Sequence, residues 1–218
     1  MTLLLGFLSV LWFLRIGRAI LFWVYLWQLK EYHIGRFLDH FRTERGKSLF
    51  INPVYGVKVV LFLILLIVLL RGGSGLYPLI SLSLLYGAEA IKAIKDAAEK
   101  TISRPVFTKK TIGLTSIAFV SAFVLLILIL TIQVTPLVSL LYLLGIDILS
   151  LLFISTIVLS AQPLVVLKKS KAIKRARAKR ESMKNLRVIG ITGSYGKTTT
   201  KEVLAHILAT KFSVVKTP

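Results

Sequence analysis

Long apolar runs, separated by short polar stretches, fill the first three quarters of the chain. Five of them read as helices that cross a ~30 Å hydrocarbon core at ~1.5 Å per residue. They are residues 3–27, Pro53–Leu70, 76–91, 112–132 and 136–159. The first is interrupted by Arg15 and Arg18, the third is short and contains Pro78, and the fifth carries Asp147 near its middle. Pro78 leaves a re-entrant course open for the third. Two polar stretches carry helical periodicity of their own. In 28–41, Ile34, Phe37, Leu38 and Phe41 share one face, with Lys30, Glu31, Arg36 and Asp39 on others. That pattern fits an amphipathic helix along the inner membrane surface, or an extension of the first span packed on its neighbours. In 88–102, Ile91, Ile94, Ala98 and Ile102 alternate with Lys92, Lys95, Asp96 and Glu99, as in a cytoplasmic continuation of the third span.

Composition agrees with a membrane protein: 56% hydrophobic residues and a mean hydropathy of +0.79 over 218 residues. The start, Met1-Thr2-Leu3-Leu4, has no basic segment before the apolar run and no small-residue cleavage site after it. The first run is therefore expected to be a retained anchor. The net charge of +20 is segregated. Lys30, Arg36, Arg42, Arg45 and Lys47 lie between runs one and two, and Lys92, Lys95, Lys100, Arg104, Lys109 and Lys110 between three and four. The other connections hold Arg71 in one and no basic residue in 133–135. This alternation places the N-terminus outside and the C-terminus inside, in keeping with an odd number of spans.

After the fifth run, residues 168–187 hold ten basic residues against the single acid Glu181. They are expected to form a basic juxtamembrane linker (168–185) that acts as a stop signal, or a site for anionic lipid. With no aromatic residue interleaved for base stacking, nucleic acid is not an expected partner. Within the membrane, charges at the depth of Arg15 and Asp147 need partners. The spacing predicts that Asp147 pairs with Arg15 or Arg18. Alternatively, the first span ends near Leu14 and 19–27 forms a surface helix. No cysteine is present, and His33, His40 and His206 are scattered, so neither thiolate nor clustered metal chemistry is expected.

The chemistry-bearing stretch is 186–202. The β-branched run 188–191 reads as a buried strand, followed by Thr192-Gly193-Ser194-Tyr195-Gly196-Lys197-Thr198-Thr199-Thr200-Lys201-Glu202 at the head of a helix. Gly193 and Gly196 let backbone N–H groups curl around phosphate oxygens. Lys197 supplies a cation for the β- and γ-phosphates, the Thr198 hydroxyl a ligand for Mg²⁺, and the helix N-terminus a favourable dipole. The general phosphate-loop pattern asks for Gly at position 191, where this chain has Ile191. An ordinary connection with a surface lysine is the plainer alternative.

Residues 192–202 resemble the ATP-binding loop of the Mur ligases, most closely the branch that adds D-alanyl-D-alanine to the muramoyl-tripeptide precursor. That family replaces the leading Gly of the general motif, and 214–218 is similar to its second strand. The resemblance covers 186–218 and implies ATP and Mg²⁺ as cofactors. It implies nucleotide binding by Gly193, Ser194, Tyr195, Gly196, Lys197, Thr198 and Thr199, with Thr198 on the metal. It implies an ATP-dependent amide ligase of cell-wall precursor synthesis at the bacterial inner membrane. In such ligases a substrate carboxylate is phosphorylated and an amine then attacks. The expected partners are membrane lipids and a lipid-linked or nucleotide-linked precursor. The family's N-terminal sugar-nucleotide domain is replaced by apolar runs, and the chain is expected to stop early in the ligase domain. The expected architecture is an all-α polytopic membrane domain of about five transmembrane helices (1–167), then the start of an α/β P-loop nucleotide-binding domain (186–218). A transporter or sensor with a P-loop ATPase domain, or a non-catalytic membrane remnant, are the alternatives.

Overall fold

The structure, a computed structural model, describes residues 2–132, 135–183 and 186–217. Gln133, Val134, Lys184, Asn185 and Pro218, which belong to the polar connection, the basic linker and the last segment, lie outside the described residues. The chain divides into two compact units, Met1–Val166 and Leu167–Pro218.

The first unit is a helical bundle. Its helices are α1 (Thr2–Leu29), α2 (Ile34–His40), α3 (Glu44–Lys47), α4 (Pro53–Leu70), α5 (Leu76–Ala98), α6 (Lys109–Thr131), α7 (Pro136–Ile148) and the first part of α8 (Ser150–Ser182). Local chemistry sets the helix starts. Asn52 accepts from the Tyr55 N–H at 2.8 Å with Pro53 behind it, and Thr108 with Thr111 closes a reciprocal cap. The central helix is α1. Leu8, Trp12, Ile16, Ile20, Trp23 and Trp27 line one buried stripe along it. It packs on α5 and α6, while α4 packs mainly on α7. Small residues permit close approach: a Cβ at Gly17 would meet the Phe119 ring at 3.0 Å. Indole N–H groups of α1 bond along α7 and α8 in the same order, Trp12 to the Leu143 carbonyl at 2.7 Å, Trp23 to Ser150 Oγ at 3.3 Å and Trp27 to Ser155 Oγ at 3.1 Å. The two therefore run parallel.

The five-span expectation is corrected. Among the described residues, three helices are long and apolar enough to cross a membrane: Leu3–Leu29, Pro53–Leu70 and Lys109–Thr131. The number rises to four if the pair Pro136–Ile148 and Ser150–Pro163, bent by 64°, is one span. The third run fails because its helix runs on through Glu89, Lys92, Lys95 and Asp96 to Ala98, leaving too short an apolar length. The fifth is broken at Leu149, two residues past the buried charge of Asp147. Continuity of α1 through Leu29 removes the alternative in which a surface helix begins at Ala19. The periodicity in 28–41 resolves as a turn followed by α2. Phe37 is buried and stacks on Trp27 at 3.9 Å between ring centroids, while Ile34 and Leu38 are exposed.

The second expectation to be corrected is the α/β domain. Among the described residues there is no strand. Residues 188–191 and 213–216, expected as strands from their β-branched content, have no ladder. Strand conformation is stabilised by pairing rather than by propensity, and here no neighbouring edge accepts either segment. Among the described residues the regular elements of the second unit are the second part of α8 and α9 (Lys197–Ala209).

Candidate functional site

Gly193 and Gly196 have φ of 153° and 74°, backbone settings that favour glycine, and Gly196 is the N-cap of α9. Lys197 thus occupies the first helical position and Thr198 and Thr199 fill the first turn, where free N–H groups point outward. The helix closes with the Thr200 N–H on the Gly196 carbonyl at 2.9 Å. The Lys197 ammonium folds back and donates to the Gly193 carbonyl. The cation expected on the phosphates therefore rests on the loop itself. Ser194 and Tyr195 stand at the tip, and Tyr195 is 97% exposed. The expected site residues are thus contiguous, solvent-facing and ordered around one helix start. Behind them Glu202 pairs with Lys216, and the Lys201 ammonium donates to the Thr217 carbonyl at 2.7 Å. The Lys216 hydrogen bond holds the Glu202 carboxyl below its ordinary value. No family model, no curated protein and no solved structure matches this chain.

A second constellation lies inside the bundle. Lys58 on α4 and Asp147 on α7 are buried. The Lys58 ammonium lies 2.5 Å from Asp147 Oδ2 and 2.8 Å from Glu89 Oε2 on α5. Arg15 on α1 completes the group, with Nε 3.2 Å from Glu89 Oε1 and Nη2 3.5 Å from Asp147 Oδ1. Two cations and two anions from four helices cancel. That is the arrangement burial demands, because an isolated ion would cost several kcal/mol. The expected pairing of Asp147 with Arg15 is present, whereas Arg18 turns to Asp96. Tyr86 lines the same space, its ring centroid 5.3 Å from the Lys58 ammonium.

Sequence reasoning missed Lys58 as a partner of Asp147, and Glu89 as the carboxylate that Lys58 and Arg15 share. The signal was available, since both lie within apolar runs where an ionisable residue requires a counter-charge. Each is also close to a polar boundary, where it passes for an end residue.

Proposed function

We propose that the chain is a membrane-anchored, Mur ligase-like ATP-dependent amide ligase of cell-wall precursor synthesis, with the loop 193–199 as its ATP-phosphate site. The observation that carries the reading is local: two glycines in glycine-favouring conformations lead directly into a helix whose first residues are Lys197-Thr198-Thr199. This supplies backbone N–H groups, a dipole and an exposed cation at one point, the combination that phosphate oxygens require. The contact of Lys197 with the Gly193 carbonyl would be exchanged for the β- and γ-phosphates. The Thr198 hydroxyl would enter the coordination of a Mg²⁺ held mostly by phosphate and water, for which one protein ligand is sufficient. Ser194 and Tyr195 would border the nucleotide and Thr199 would support the loop.

By the positive-inside rule, the basic half of α8 and the loop lie on the cytoplasmic face of a bacterial inner membrane, where ATP is available. The carboxylate and amine substrates would be cell-wall precursors, lipid-linked or nucleotide-linked. The test is ATP binding by the full chain in detergent, with and without Lys197→Ala. Loss of the cation should weaken binding at least about a hundredfold. Equal affinity in the two proteins would remove the assignment.

The buried charge network favours a second reading, in which ATP hydrolysis powers or gates the membrane helices of a transporter or sensor. Under that reading the neutral replacement Lys58→Met/Asp147→Asn changes the ATPase rate of the reconstituted chain. Under the ligase reading it leaves the rate alone.

A further inference from the structure

The second half of α8 carries a charge pattern that neither the loop nor the buried network uses. From Lys171 to Arg180 every residue is exposed. Lys171, Lys174, Arg175 and Lys179 follow at i, i+3, i+4 and i+8, which gathers their side chains into one stripe ~12 Å long. Arg177 lies off the stripe and is taken by Glu181 at 3.0 Å. Lys169 and Arg180 fall on the opposite face, with Ile173 and Ala176. Among the described residues no carboxylate pairs with any of the four stripe cations. Unpaired like charges one turn apart repel, so anions from outside the chain would stabilise the stripe.

Its place along the chain says which anions. The apolar part of α8 that forms the bent candidate span ends at Pro163. In the sequence the apolar residues continue to Leu167, and Lys171 follows four residues later, ~6 Å if helical. That spacing matches the headgroup layer, which is ~5–7 Å deep on each side of the hydrocarbon. The stripe has no interleaved aromatic residue for nucleobases. We propose that Lys171, Lys174, Arg175 and Lys179 form a binding site for the phosphate-bearing headgroups of anionic lipids. The inference rests on the membrane character of the first unit and is independent of the nucleotide reading.

The chain has no cysteine, so Ala178→Cys, on the stripe face, introduces a single thiol for an environment-sensitive dye. The labelled full chain is placed in nanodiscs of phosphatidylcholine containing increasing phosphatidylglycerol. Each basic residue near an anionic surface contributes a factor of about five. A blue shift of the dye should therefore develop at low anionic content and reverse in about 1 M salt, where the Debye length is ~3 Å. The variant Lys171→Gln/Lys174→Gln/Arg175→Gln/Lys179→Gln keeps strong helix formers at each position. It should need at least about tenfold more anionic lipid. Lys169→Gln/Arg180→Gln, on the opposite face, should respond like the parent. Soluble inorganic phosphate added to neutral discs should give no shift. The proposal is overturned by equal emission in neutral and anionic discs, by an unaltered response of the quadruple variant, or by equal loss in the opposite-face variant. A shift produced by soluble phosphate alone would equally overturn it, because the site would then be one for free anions.

Discussion

Replacing Lys58 by Met tests whether the buried charges hold the bundle together. The ammonium lies 2.5 Å from Asp147 and 2.8 Å from Glu89. At an effective dielectric constant of about 20, the first contact alone has a gross Coulomb energy of ~7 kcal/mol, much of it offset by desolvation. Removing the lysine leaves two carboxylates facing only Arg15, whose nearest contact with Asp147 is 3.5 Å. Stranding a buried charge in this way costs about 3–5 kcal/mol. At roughly 2–4 °C per kcal/mol for a chain of this size, the unfolding midpoint in detergent should fall by about 10 °C. Intrinsic fluorescence is a suitable assay, because all three tryptophans, Trp12, Trp23 and Trp27, are buried along α1. Adding Asp147→Asn restores neutrality and leaves Arg15 with Glu89 at 3.2 Å. The double variant should therefore lose less than either single one, with a coupling energy of about 2–4 kcal/mol. A double variant whose loss equals the sum of the two single losses would refute the ion pair.

Trp12→Phe removes the 2.7 Å bond to the Leu143 carbonyl and should cost about 1 kcal/mol or more in the same assay, with Trp23 and Trp27 as remaining reporters. Burial, and after it the charge of Lys30, holds the His40 imidazole below its ordinary 6.5. Protonation is then disfavoured in the folded state, so this contribution to stability is complete above 6.5 and declines as pH falls below it. An NMR titration should place His40 below 6.5 and Lys30→Gln should move it upward. Topology reporters inserted at Thr43 and at Gly73, on either side of α4, should read opposite faces with Thr43 cytoplasmic. Agreement between the two would remove α4 as a span.

The apolar runs were legible because a helix in hydrocarbon needs only length and hydropathy, which single residues report. Residues 53–70 and the body of α6 were bounded correctly for this reason. Runs 76–91 and 136–159 were misjudged because their fate depends on neighbours. Glu89 extends α5 into a charged helix held by Arg15 and Lys58, and Asp147 precedes a break that Trp23 covers through Ser150. The pairing of Arg15 with Asp147 was readable from depth alone, but the involvement of Lys58 and Glu89 required knowing which helices meet. The glycine turn and the helix start at Lys197 were local properties and were visible in the chain. The strands at 188–191 and 213–216 were not, because β-branched content records a preference that becomes structure only beside a pairing partner.

The most direct test of the nucleotide reading asks which part of the ligand the loop grips. Binding of a fluorescent ATP analogue to the full chain is measured in the presence of Mg²⁺, with competition by inorganic triphosphate and by adenosine. Under that reading the ligand is gripped by backbone N–H groups, Lys197 and Thr198 around a helix start, so triphosphate should displace the analogue, adenosine should not, and Lys197→Ala should abolish binding. Displacement by adenosine with no effect of triphosphate, or undiminished binding in Lys197→Ala, would contradict a phosphate site at 193–199.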